Sequence, residues 1–266
     1  MTDLRLGVIE VLNALPVYYP LLEGRVQAPV QLVKGKVTEL NQKLNQGLLD
    51  VSVVSSFEYA QHPEMYRILP GLSISAKGAV KSIYLFSKVP LAGLAGQTVG
   101  LTAFSLTSVH LVQYLLEDLQ CRFVQGEPPE ASATLLIADE AIARYYQHRD
   151  AYVFDLGDLW LQKTGLPFAF ALWVAREEVC RQAPRQVAQT WQALVAGRDQ
   201  AAQNWEEIAH KRFAGLFPDL ASCRDYLATL IHSFDLETQK GFLRFMAEMV
   251  RLGKLPGVAE LRFFDP

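Results

Sequence analysis

Cysteine is scarce in this 266-residue chain: Cys121, Cys180 and Cys223 are all it contains, and no two stand in a CxxC spacing. So odd and scattered a set excludes a disulfide framework and a zinc knuckle, and reads as small buried residues in a reducing compartment. Basic residues are not in excess either. The formal net charge is −3, which leaves no electrostatic footprint for nucleic acid. An anionic ligand would have to be held by local groups, because the field of the whole protein does not attract it. No apolar run reaches the roughly 18 residues of a membrane span. No basic stretch, apolar core and small-residue cleavage site precede the first strand-like segment, so the expected location is the cytoplasm. The histidines, His62, His110, His148, His210 and His232, form no HxH, HxxxH or HExxH arrangement, so no metal is expected. A Gly-rich phosphate loop with GKS or GKT is missing, which argues against a nucleotide, and so is a GxSxG elbow.

What is present is an ordinary globular balance, 50% hydrophobic and 20% charged. The length suits two lobes of roughly 100–150 residues each. Buried apolar runs at residues 4–11, 30–34 and 49–55 alternate with helix patterns from residue 13 and over residues 37–46 and 56–61. This β-α-β-α-β order predicts a mostly parallel sheet. Strands are expected at residues 68–74, 82–87, 98–101, 133–137, 151–155 and 168–174, with helices at 105–119 and 139–146. From residue 177 to about 252 the pattern is helical. The strands at 82–87 and 168–174 bracket an inner α/β unit, so the fold class is α/β with two lobes joined by a two-strand hinge. The larger lobe takes residues 1–84 and 172–266, the smaller one residues 85–171, and the ligand cleft lies between them.

In such sheets ligands gather at the carboxyl ends of strands, where the next helix offers free N–H groups and the positive end of its dipole. Four junctions qualify. Asn13 follows the first strand, as a helix cap or as an amide pointing into the cleft. Ser55 and Ser56 stand where a buried strand turns into a helix. Thr102, Ser105, Thr107 and Ser108 put four hydroxyls in seven residues before an amphipathic helix, more than one cap requires, which favours a carboxylate or phosphate. At the fourth junction Asp139 opens the helix after the strand at residues 133–137, where an acid is stabilising in any case. Ser82 could reach the cleft from the crossing strand, with Lys81 beside it in solvent. Residues 155–160 are expected to form a turn into the second hinge strand.

Several of these segments resemble the chorismate dehydratases of menaquinone biosynthesis. They are Leu12-Asn13-Ala14-Leu15-Pro16, the run from Asp50 to Ala60, Tyr66-Arg67-Ile68-Leu69-Pro70, the run from Val80 to Ser87, Leu101-Thr102 with Ser105 to Ser108, and Thr164-Gly165-Leu166-Pro167-Phe168. The likeness spans residues 5–175; the helical tail matches in character only. Two places depart from the family pattern: Glu10 and Val11 precede Leu12, and Ala79 stands where the family often has Pro. A sister lyase of the pathway shares the fold but typically carries a Cys-Pro-Asn-Asp type of stretch where this chain has Leu12-Asn13-Ala14-Leu15.

The resemblance implies a periplasmic-binding-protein-like fold of type II, used as a cytosolic enzyme without metal or organic cofactor. It implies the first step of the futalosine route, in which chorismate loses water and becomes 3-[(1-carboxyvinyl)oxy]benzoate. Chorismate is a dianion, and helix N-termini with hydroxyls are suited to hold its two carboxylates. On this reading Asn13 and Ser82 are catalytic, and Ser55, Ser56, Thr102, Ser105, Thr107, Ser108 and Asp139 bind substrate. The base stays open between the substrate's own enolpyruvyl carboxylate, Glu10 and Asp139. The oligomeric state stays open too, monomer or homodimer. Two rival readings remain, a cytosolic module that binds a small carboxylate and the sister lyase, because fold does not fix function.

Overall fold

The computed structural model describes residues 3–212 and 215–266. The chain opens with β1 (Leu4–Val8), α1 (Leu15–Leu22), β2 (Val30–Lys34), α2 (Val37–Asn45), β3 (Val51–Ser55), α3 (Ser56–Gln61) and the long β4 (Tyr66–Ala76). A second unit follows: β5 (Ile83–Ser87), β6 (Thr98–Leu101), α4 (Leu106–Leu115), β7 (Arg122–Gln125), β8 (Ala133–Ile137), α5 (Ala138–Tyr145) and β9 (Tyr152–Asp155). The chain returns through α6 (Leu156–Thr164) to β10 (Phe168–Arg176). It ends with α7 (Glu177–Gln182), α8 (Pro184–Arg212), α9 (Leu220–Leu227), β11 (Leu230–Ile231) and α10 (Leu236–Arg251).

Among the described residues the strands form two sheets, ordered β11-β4-β10-β3-β1-β2 and β7-β6-β8-β5-β9. In the first, β1 runs parallel to β2 and β3, while β10 lies antiparallel between β3 and β4. The sheet is therefore mixed, where β-α-β-α-β order alone predicts a mostly parallel one. The reason is topological. The chain leaves the first lobe at the carboxyl end of β4 and re-enters at that same end, so the returning β10 must run the other way. The second sheet shows the same effect: β5, the entering strand, is antiparallel to both β8 and β9.

Burial explains why these segments are strands. β3 reads Val-Ser-Val-Val-Ser and is buried at every position, as a central strand covered on both faces must be. Below it, the indole of Trp173 donates to the hydroxyl of Tyr18 at 3.0 Å, and Tyr18 donates to the carbonyl of Gly7 at 3.1 Å. On the other side Phe245 of α10 packs edge-on against Trp160 and Phe168. Each fully buried side chain of this size contributes about 1.5–3 kcal/mol.

The lobes are joined at residues 77–82 and 156–167, and neither connection is a strand that runs through both sheets. The outgoing segment is a turn and the return is α6, a helix where residues 155–160 read as a turn. Gly157 is what disguises it. A Cβ there would stand 2.2 Å from the carbonyl oxygen of Gly78, so this glycine serves close contact between the crossings rather than a bend. Asp155 fastens the same point. Its carboxylate caps α6 through Gly157 N–H at 2.8 Å and accepts from Val80 N–H at 3.0 Å and Lys81 N–H at 2.7 Å. Two further elements differ from the sequence expectation. β7 is a short, half-exposed edge strand with too few apolar positions to announce itself. The helix expected over residues 105–119 stops at Leu115 and tightens into a short turn that ends at Gln120, whose φ is +50°.

Candidate active site

The carboxyl ends of β1, β3, β6 and β8 bring the candidate residues into two groups. The first lies where α3 of one lobe meets α4 of the other. Ser55 caps α3 by accepting from Glu58 N–H at 3.3 Å, and Ser105 caps α4 by accepting from Ser108 N–H at 3.1 Å. The Ser105 hydroxyl donates to Ser108 Oγ at 3.0 Å. Thr107 Oγ1 accepts from the backbone N–H of Phe57 at 2.9 Å, so a free donor at the start of α3 is satisfied by a side chain of the opposite lobe. Phe57 and His110 pack with ring centroids 4.0 Å apart and planes tilted by 36°, and burial holds the imidazole below its ordinary range. Thr102 accepts from Phe104 N–H at 3.2 Å and so shapes the approach to α4.

Ser56 is turned away from this group. It is fully buried, and its hydroxyl donates to the carbonyl of Ala169 at 2.6 Å, pinning β10 to the start of α3. The sequence placed Ser55 and Ser56 together; the structure gives one to the helix cap and the other to the sheet.

The second group gathers around Ser82. Its carbonyl accepts from Ala138 N–H at 2.7 Å, which ties the outgoing crossing to the start of α5. Lys81 and Ala138, on either side of that bond, have φ of +54° and +53°. Side chains other than glycine rarely adopt this region, and such strain persists where the surroundings over-determine it, often at functional sites. The Ser82 hydroxyl donates to the Val80 carbonyl at 3.4 Å, and the phenol of Tyr226, from α9, lies near enough to that hydroxyl to interact with it. Burial, with some help from the charges of Asp139 and Asp155, pushes that phenol well above its ordinary range, so it stays protonated. Asp139 follows Ala138 in the first turn of α5, and lost hydration pushes its carboxyl up.

Asn13 belongs to this second group. Its neighbours Leu12 and Leu15 share a buried cluster with Ile142 of α5 and with Tyr226. It does not cap α1: that position is Ala14, without a side-chain bond. Its amide oxygen is buried and has no hydrogen-bond partner among the described residues, while its backbone carbonyl accepts from His232 Nε2 at 2.7 Å. Burial lowers the His232 pKa, so the ring is neutral with its proton on Nε2. An unpaired buried oxygen costs folding about 1–3 kcal/mol, so the Asn13 amide is available to a ligand or a water that would satisfy it. Glu10 stands apart from both groups, exposed and 2.9 Å from Lys34 at the end of β2.

Sequence reasoning missed Tyr226 and His232. Both come from the helical tail, whose pattern carries no sign of which residues reach the cleft. Among the described residues no group of three or more His, Cys, Asp or Glu could hold a metal ion, and no helix is long and apolar enough to cross a membrane.

Comparison with known proteins adds to this geometry. A family model described as menaquinone biosynthesis matches residues 4–251. The chorismate dehydratase of Thermus thermophilus is 33% identical over 196 residues, covering 65% of this chain and 70% of that protein. The 1,4-dihydroxy-6-naphtoate synthase of the same organism is 30% identical over 189 residues, 67% of this chain and 68% of that protein. Among solved structures, the Candida albicans CA3427 gene product, described as having the generic periplasmic binding protein fold, superposes with a TM-score of 0.68. That match has 10% identity and covers 100% of this chain and 98% of the other.

Proposed function

The chain belongs to the menaquinone biosynthesis family, and from that premise we propose that it is a lyase that dehydrates chorismate to 3-[(1-carboxyvinyl)oxy]benzoate. The observation that carries the reading is the 33% identity to a chorismate dehydratase over about two thirds of both chains. The 30% identity to the 1,4-dihydroxy-6-naphtoate synthase keeps that activity as the alternative. Asn13-Ala14-Leu15 after β1, in place of the sister lyase's Cys-Pro-Asn-Asp type of stretch, favours the dehydratase.

The reaction removes the ring C3 proton and the C4 hydroxyl as water, and the new C3–C4 double bond completes an aromatic ring. An E1cB-like path moves negative charge from C3 into the ring carboxylate. Donors preorganised around that carboxylate stabilise the transition state more than the ground state; one such donor is typically worth about 2.7–4 kcal/mol. We assign this to the Ser82 hydroxyl and to the pool of Ser105, Thr107 and Ser108, with Ser55 and Thr102 at the rim. Tyr226 keeps Ser82 in place from behind, and its high pKa makes it a donor rather than a base.

For the base we favour the substrate's enolpyruvyl carboxylate, oriented by the Asn13 amide. Glu10 is occupied by Lys34. Asp139, with its raised pKa, fits the return of a proton to the departing hydroxyl. The two lobes, one built on β1–β4 with β10 and β11 and the other on β5–β9, close around the substrate; their sheets put residues 83–84 in the smaller lobe and 168–171 in the larger, which shifts the sequence-based bounds of 85–171 by a few residues. The enzyme works in the cytoplasm, and no metal or organic cofactor takes part.

The test is to mix purified protein with chorismate and follow the aromatic product by absorbance and mass spectrometry. Loss of one water per chorismate supports the assignment. Binding without turnover points to a carboxylate-binding module, and absence of binding points to the sister lyase.

A further inference from the structure

A cavity of about 570 Å³ lies in the first lobe, between the start of α1, the middle of α8, and α9 with β11. Its floor is apolar, with Leu227, Leu230 and Ile231. Its wall holds two arginines and no carboxylate, in a chain whose net charge is negative. Arg198 is occupied: it donates to the carbonyl of Gly71 at 2.7 Å and to Asp199 at 2.8 Å. Arg224 is different. Its guanidinium sits 5.7 Å from the ring centroid of Trp205, and among the described residues no carboxylate meets it.

A guanidinium beside an indole recognises two features at once. The fork of N–H donors takes a carboxylate in a bidentate way, and the indole takes a flat ring. We propose that this cavity binds a planar aromatic carboxylate, with the carboxylate on Arg224, the ring against Trp205 and its far edge on the apolar floor. The volume falls within the usual range for small-molecule sites. The site is distinct from the cleft yet adjacent to it, because His232 lines the cavity and bonds the Asn13 carbonyl. The proposal does not depend on the dehydratase assignment.

The test is isothermal titration of the full chain with sodium 2-naphthoate. We expect one equivalent to bind, at least tenfold more weakly in Arg224→Ala, with part of the affinity restored in Arg224→Lys. The side chain of Arg224 is exposed, so both variants should fold, and circular dichroism checks this. Ser82→Ala, in the cleft, should bind 2-naphthoate as the wild type does. No binding to the wild type, unchanged affinity in Arg224→Ala, or loss of affinity in Ser82→Ala would each overturn the proposal.

Discussion

The side chain of Thr107 accepts a hydrogen bond from the backbone of Phe57 at 2.9 Å, and the two residues belong to opposite lobes. The contact between the lobes thus gives a helix N–H the partner that its own helix cannot supply. In Thr107→Val the shape is kept and the acceptor is lost. A buried donor left unpaired costs about 1–3 kcal/mol, and opening the lobes is the way to hydrate it. The radius of gyration from small-angle scattering should therefore rise in Thr107→Val and stay at the wild-type value in Thr107→Ser. An unchanged radius in the valine variant would show that the contact does not hold the lobes together.

Asn13 offers a contrast between stability and activity. Its amide oxygen is buried and unpaired, so the folded protein gains nothing from it. Asn13→Ala should keep or raise the melting temperature while chorismate turnover falls by about 10²–10³-fold. Normal turnover in both Asn13→Ala and Asn13→Asp would remove Asn13 from the site.

Tyr226 is expected to act through Ser82. Tyr226→Phe keeps the ring in its buried place and deletes the hydroxyl. A single hydrogen bond is worth about 1–1.5 kcal/mol, so kcat should fall about tenfold. KM should not change, because the phenol touches the serine rather than the substrate. Steady-state kinetics on chorismate separate the two constants, and a rise in KM alone would contradict a positioning role.

Asp155 makes stability at the crossing depend on pH. Burial pushes its carboxyl up to about 6 from the ordinary 3.8, although several N–H bonds pull it the other way. The folded state therefore holds this proton more tightly than the unfolded chain does. Between pH 4 and 6 the folded protein binds more protons at this site, and the contribution to stability grows as pH falls, by up to about 3 kcal/mol. Urea unfolding of wild type and Asp155→Asn at several pH values should show the difference between them move in favour of the wild type from pH 7 to pH 4. A difference that is flat with pH, or that runs the other way, would show that the N–H bonds outweigh burial.

Much of this molecule is legible in the order of its residues. Buried runs such as Val51-Ser52-Val53-Val54-Ser55 have to be covered on both faces, and Ser55 and Ser105 mark helix starts because a short side chain with an oxygen can satisfy a free N–H. The alternation of strands and helices therefore follows from local chemistry, as does the crowd of hydroxyls at residues 102–108. The tertiary structure decided what local chemistry does not contain. It made the first sheet mixed, because a strand returning at the end where the chain left must run antiparallel. It showed that residues 156–164 are a helix capped by Asp155, with a glycine at 157 because two crossings touch there and not because the chain bends. It sent Ser56 to Ala169 and left Ser55 to cap α3, a difference of one residue that only strand pairing can settle. It also brought Tyr226 to Ser82 and His232 to Asn13, across separations of 144 and 219 residues. Side chains so far apart in the chain meet only when a whole lobe has folded, so neither pair leaves a trace in any local window of sequence.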